Sequence, residues 1–328
     1  FIDGPERAVE GYTIDRESDL LEPFAPLKNG APTAAGYIKL LQAGALADLS
    51  PLRKRLLGFI DDGVLQKVRA QGLRGRLLLI GVVDVDTGQA VILDLTDMAR
   101  QYVEASDAVQ RSDKRACFVE AILASSSAPL AAVPVFLDNR MYVDGGVRFG
   151  MFTDEIGAQI DKRADSSAKP TIYLLINGDQ EISARCGKAD PAQCPDGLDP
   201  AGNYAGRHAD WSFPDLALRS EGILANQVYR FSAAAVGESA KRRGMAFRLI
   251  KIEQEMGGYK FPRDAHDDPL PDSQSCTDWR KVDRAEGIKG GPLQFYPHYM
   301  RCVIAYGRTR AGTDMKRWVE DDAGDGPF

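Results

Sequence analysis

From residue 50 onward the apolar positions switch between two periods, and the switches outline the elements. Ser50-Pro51 reads as a helix N-cap followed by proline at the first helical position, opening an amphipathic helix through Leu56, Leu57, Phe59 and Ile60. A second helix follows through Val64, Leu65 and Val68. The stretch RLLLIGVVDVDTGQAVILDL then sets two apolar runs on either side of Asp86-Thr87-Gly88-Gln89, a hairpin signal. Both runs are almost continuous Val, Ile and Leu, the pattern of strands covered on both faces. A helix is predicted over 112–127, capped near Ser112 or Asp113, with strands at 133–137 and 141–143. PTIYLLIN, 170–177, reads as a third buried-type strand.

The flanks are less regular. Residues 1–48 read as helix and loop, broken by Pro23, Pro26 and Pro32, with AAGYIKLLQAGAL apolar on one helical face. Residues 180–212 are rich in Gly, Pro, Asp and Asn and form a surface excursion. A long helix is predicted from about Asp215 to Arg243, ending at Gly244, followed by the strand MAFRLIKI. Residues 257–292 form a second polar excursion, and HYMRCVIAYGRTRAGTDMKRWVE is the closing helix. Neither an internal repeat nor a linker divides the chain, so the reading is one α/β domain over 1–328 with two elaborated loops.

Composition narrows the function classes. The 328 residues are 44% hydrophobic and 27% charged, as in ordinary globular proteins. A net charge of −6 argues against nucleic acid as a partner. No apolar run approaches the roughly 18 residues of a membrane-spanning helix. The basic clusters Arg53-Lys54-Arg55 and Lys241-Arg242-Arg243 read as solvated helix faces. Cys186 and Cys194 flank the loop GKADPAQ, while Cys276 lies in PDSQSCTDW and Cys302 in the closing helix. Neither pair has C-x-x-C spacing and there are three histidines, so no metal or cofactor is expected. Loop placement suits disulfides 186–194 and 276–302, which would imply an oxidising compartment. The alternative is four reduced surface thiols. Cys117, within ACFVEAILAS, reads as a buried free thiol.

The candidate chemistry centres on Asp144-Gly145-Gly146, directly after the apolar Met141, Tyr142 and Val143. As a bare tripeptide it is a turn, with Asp bonded to its own backbone and glycine supplying positive φ. No G-x-S-x-G elbow exists in the chain, and His208, His266 and His298 lie in polar loops or near the closing helix. The triplet Ser125-Ser126-Ser127 precedes Pro129 at a helix end, where hydroxyls cap or back-bond rather than attack. DAHDDPLPD, 264–272, lacks the spacing of a calcium loop, and GIKGGP, 287–292, lacks the ending of a phosphate loop.

The segment ASSSAPLAAVPVF…MYVDGGV resembles the patatin-like phospholipases, in which a Ser-rich, Ala-Pro-containing stretch leads to Asp-Gly-Gly or Asp-Gly-Ala. LADLSPLRKRLLGFIDDGVLQKVRAQGLRGRLLLIGVVDVDTGQAVILDL is similar to the stretch that bacterial, exported members place between nucleophile and aspartate, and PHYMRCVIAYGRTRAGTDMKRW to their closing helix. The resemblance covers nearly the whole chain. It implies a central sheet sandwiched by helices and a Ser-Asp dyad that works without histidine. Asp144 takes the general-base role in that dyad, and Gly145 and Gly146 let the backbone approach the nucleophile. It also implies a lipid or ester substrate and is compatible with association at a membrane surface.

The chain departs from the family pattern in lacking the oxyanion loop and the elbow, which the family places just before a segment like FIDGPERAVEGY. On this reading the serine lies upstream of residue 1. Three origins fit: a sequence that begins downstream of the elbow, a separate N-terminal polypeptide left by cleavage, or a true loss in a non-catalytic relative. That last origin is the competing function, a binding or assembly protein on a patatin scaffold. Its partner surface would draw on Tyr204, Trp211, Tyr259 and Trp279 of the two excursions, which otherwise pack the loops onto the core. The cysteines and the resemblance together place the protein in the periplasm or cell envelope.

Overall fold

A computed structural model of the chain describes residues 9–11, 13, 17–24, 27–28, 31–32, 38, 42–151, 170–176, 213–251, 258–260, 275–285, 296–313 and 319–320. Cys186, Cys194, Tyr204, His208, Trp211, His266 and the segments 264–272 and 287–292 lie outside the described residues. The architecture is mixed α/β, as the patatin resemblance implies. Two units are described in turn, one of residues 1–148 with 253–319 and one of residues 149–252 with 320–328.

In the first unit residues 9–11, 38 and 42–43 are helical and Glu17–Asp19 is a 3₁₀ turn, in keeping with the helix and loop read from the sequence, but short strands are set among them. β1 (Glu22–Pro23) is followed by the hairpin β2 (Leu27–Lys28) and β3 (Ala31–Pro32), and then by β4 (Ala45–Asp48). β4 pairs antiparallel with β1. Asp48, the last residue of β4, then organises the start of α1 (Ser50–Phe59). Its carboxylate accepts both the amide and the hydroxyl of Ser50. The N-cap is therefore Leu49, without a side-chain bond, and Ser50 is inside the helix rather than capping it. α2 (Asp62–Leu73) starts as its sequence suggests, with Asp61 accepting from the Val64 amide.

β5 (Leu79–Asp84) and β6 (Gln89–Asp94) form the predicted hairpin. Asp84, 1% exposed, builds its turn. Oδ1 accepts the amides of Asp86 and Thr87 at 3.0 and 3.2 Å, and Oδ2 accepts Arg140 at 3.0 Å. Gly88 closes the turn at φ +67°. The coverage differs from expectation. β5 is buried over its last four residues, whereas β6 is exposed at its start and half-buried after it.

α3 (Leu95–Glu104) follows without a loop because Asp94, ending β6, caps it through the Thr96 and Asp97 amides. α4 (Ala108–Ser126) is capped by Asp107, ahead of Ser112 or Asp113 where the sequence placed its cap. β7 (Leu130–Ala132) joins β4 in parallel. β8 (Val135–Leu137) and β9 (Arg140–Asp144) are linked by Asp138 and Asn139, at φ +49° and +62°. That left-handed pair matches the twist of a two-residue hairpin. The sheet order is β6-β5-β9-β8, with β9 antiparallel to β5 and β8. Leu65, Val68, Val82, Leu95, Phe118 and Leu123 form the centre of the core between these helices and strands.

The second unit contains β10 (Thr171–Ile176), α5 (Phe213–Arg242) and β11 (Ala246–Lys251), with β10 parallel to β11. Gly244 ends the helix at φ +65°. Ile176, Ala233 and Leu249 form its core. β10 is not covered on both faces as its apolar run suggested: Tyr173 and Leu175 are exposed on alternate positions.

The chain returns to the first unit with α6 (Cys276–Ala285) and α7 (Pro297–Thr313). The closing helix is shorter than predicted, since Val319–Glu320 is a strand. The second excursion is not simply polar loop. Cys276 and Cys302 form the expected disulfide, but it joins two helices and is fully buried with Trp279. Asp283 in α6 bonds His298 Nδ1 at 2.5 Å and the Tyr299 amide at 3.1 Å, holding the start of α7.

Candidate active site

Asp144 is the last residue of β9, directly opposite Val82 of β5. A central strand flanked on both sides fixes its Cα, and the turn after it fixes its carboxylate. Oδ1 accepts the Gly146 amide at 2.7 Å, the first bond of a 3₁₀ turn over Gly145–Val147. Among the described residues Oδ2 accepts no hydrogen bond. Burial pushes the carboxyl above its ordinary value, against the smaller opposing effect of the Gly146 amide. The result is a half-buried carboxylate with one oxygen tied and one open, more basic than an aspartate in water.

Gly145 is required for a reason the turn reading did not supply. It does not take positive φ. Instead, a Cβ placed there would meet the Gly81 carbonyl oxygen at 2.8 Å and its carbon at 2.9 Å. The backbone of the Asp-Gly-Gly turn lies flat on β5, and only a residue without a side chain fits. The motif is thus an Asx-type turn and a close backbone approach together.

The serine triplet sits beneath this turn. Ser126 bonds back to the Ile122 carbonyl at 3.0 Å, as expected at a helix end. Ser125 donates to the Gly81 carbonyl at 2.8 Å, and Ser127 to the Val133 carbonyl at 2.9 Å. The Ser127 carbonyl in turn accepts the Asp144 amide at 3.0 Å. Each hydroxyl is therefore engaged with a backbone carbonyl. Sequence reasoning missed Gly81 as part of the site, although a lone glycine inside the apolar run LLLIGVV signals close approach of another backbone.

The other singled-out residues lie apart from this turn or serve structure. Trp279 is 1% exposed and stacks on His298 with ring centroids 5.4 Å apart, and Tyr259 packs against the same cluster. These two aromatics are packing residues, not a partner surface. Cys117 is free, but half-buried against the core rather than fully buried, with burial raising its thiol. Among the described residues no group of three His, Cys, Asp or Glu side chains could hold a metal ion, and no helix is long and apolar enough to cross a membrane.

The mixed α/β scaffold thus presents, at a strand end and on a glycine-cushioned turn, a carboxylate whose basicity burial has raised. The family model described as Patatin-like phospholipase matches residues 27–155, from β2 through the Asp144 turn. Over that part the chain is similar to the patatin-like phospholipases. No curated protein matches the chain.

Proposed function

We propose that the protein hydrolyses carboxylic esters of lipids through a Ser-Asp dyad in which Asp144 is the general base. The observation that carries this reading is the Asp144 carboxylate itself, with Oδ1 bonded to the Gly146 amide and Oδ2 accepting no bond among the described residues, in surroundings that raise its basicity. Asp144 takes the proton of a serine hydroxyl as the serine oxygen attacks the ester carbonyl. It returns that proton to the departing alkoxide, leaving an acyl-serine. It then takes a proton from water, whose oxygen attacks the acyl group and releases the carboxylic acid with the serine restored.

The serine is supplied by a segment outside residues 1–328, since G-x-S-x-G is found nowhere within them and Ser125, Ser126 and Ser127 all donate to backbone carbonyls. The burial of Trp279 and the packing of the partly buried Tyr259 against it speak against two of the four aromatics on which the binding-protein reading drew. The Cys276–Cys302 bond supports an exported, periplasmic or envelope location, because such bonds persist in oxidising compartments.

Labelling the full polypeptide, as its source produces it, with a fluorophosphonate and mapping the modified peptide tests the reading. One modified serine in a G-x-S-x-G segment is expected. A polypeptide that takes up no probe, while ordered by circular dichroism, would overturn hydrolysis in favour of a binding scaffold.

A further inference from the structure

Ser125 and Ser127 are unused by the chemistry above, yet both lie within hydrogen-bond reach of the backbone that carries Asp144. Ser125 Oγ holds the Gly81 carbonyl at 2.8 Å, the same carbonyl against which Gly145 rests with no room for a Cβ. Ser127 is fully buried and bonds in two directions. Its carbonyl accepts the Asp144 amide at 3.0 Å, and its hydroxyl donates to Val133, whose own amide reaches Ala47 of β4 at 3.2 Å. The end of α4, the β5 and β9 backbones and the β4–β7 ladder therefore meet at these two serines.

We propose that Ser125 and Ser127 are positioning residues that fix the Asp144 carboxylate by clamping the two backbones on which its turn is built. The inference rests on Asp144 being the base. Ser125 sets the height of β5 under Gly145, and Ser127 sets the exit of β9. Loss of the Ser125 hydroxyl frees the Gly81 carbonyl on which Gly145 rests, and loss of the Ser127 hydroxyl unties from Val133 the residue whose carbonyl accepts the Asp144 amide, so the carboxylate drifts from its line to the nucleophile. A displacement on the order of 1 Å at a catalytic group costs about a hundredfold in rate. Ser126, whose hydroxyl points back into its own helix and is exposed, has no such part.

The test uses the full polypeptide with Ser125→Ala, Ser127→Ala, Ser126→Ala and, as a control for general destabilisation, Val68→Ala of α2 in the hydrophobic core. Two readouts are taken: kcat and KM on a short-chain soluble ester, and the Asp144 carboxyl titration by carbon NMR, assigned by its loss in Asp144→Asn. Ser125→Ala and Ser127→Ala are expected to lower kcat about ten- to a hundredfold with KM within about twofold. They are also expected to move the Asp144 midpoint toward that of a solvated aspartate, while Ser126→Ala and Val68→Ala move neither readout. Should Ser127→Ala fail to fold, Ser125→Ala and Ser125→Thr decide, the threonine restoring both readouts. An Asp144 titration and kcat unchanged in Ser125→Ala, or a Val68→Ala variant with the same kcat loss, would overturn the clamp. Failure of the parent to hydrolyse any ester would instead refute the base assignment, and the titration alone would then decide whether the serines hold the turn.

Discussion

At the scale of single residues, the site is a carboxylate held by what its neighbours lack as much as by what they carry. Gly145 has no side chain because the Gly81 carbonyl occupies that space. Gly145→Ala is therefore expected to destabilise the fold by about 1–3 kcal/mol, measured by urea unfolding, since backbone on both sides must give way. Asp144 carries the opposite tension. Burial raises its carboxyl above the unfolded value, so its contribution to stability is present below that value, about 3.9, and is lost as pH rises through the folded one. Asp144→Asn keeps an oxygen for the Gly146 amide and removes the buried charge. The variant is expected to equal or exceed its parent in stability at pH 7, with the parent gaining on it as the pH is lowered to 4. A parent that is clearly the more stable at pH 7 would mean the carboxylate is structural. With Asp144 as the proposed base, the acidic limb of kcat/KM is expected above that of a solvated aspartate, because a base works only when ionised.

At the scale of elements, the two strands and the turn that carry Asp144 were legible in the sequence, and the supports beneath them largely were not. The hairpin and β9 announce themselves by apolar runs broken at Asp86–Gln89 and at Asp138–Asn139. β4 does not. Ala45, Leu46 and Ala47 favour helix by propensity, and become a strand because β1 and β7 flank them on both sides. α3 was hidden because Asp94 ends β6 and caps the helix with no loop between. The long-range polar ties carry no sequence signal at all. Arg115 of α4 donates to the carbonyls of Ile60, at 2.6 Å, and Leu57, closing the C-terminal end of α1. Arg115→Ala is expected to cost about 1–3 kcal/mol in urea unfolding, well above the effect of truncating an unpaired surface arginine.

At the scale of the whole molecule, the Cys276–Cys302 bond closes a separation of 26 residues and lies buried with Trp279. By loop length it contributes roughly 3–4 kcal/mol to the segment it closes. Reduction is expected to release Trp279 fluorescence toward that of exposed indole at lower urea than in the oxidised protein. Thiol titration of the denatured, unreduced protein then bears on the compartment. Of the five cysteines only Cys117 reacts if Cys186 and Cys194 are also paired, and three react if they are not.

The central claim, that Asp144 is the base of a lipid ester hydrolase, meets its most direct test in the turnover of the full polypeptide with and without that carboxylate. The measurement is kcat for ester hydrolysis by Asp144→Asn against its parent, both verified as folded by circular dichroism. A fall of about a hundredfold to ten-thousandfold with little change in KM is expected, the usual worth of a positioned general base. Turnover within a few-fold of the parent would contradict it, and would leave Asp144 as a turn residue in a fold that finds its base elsewhere.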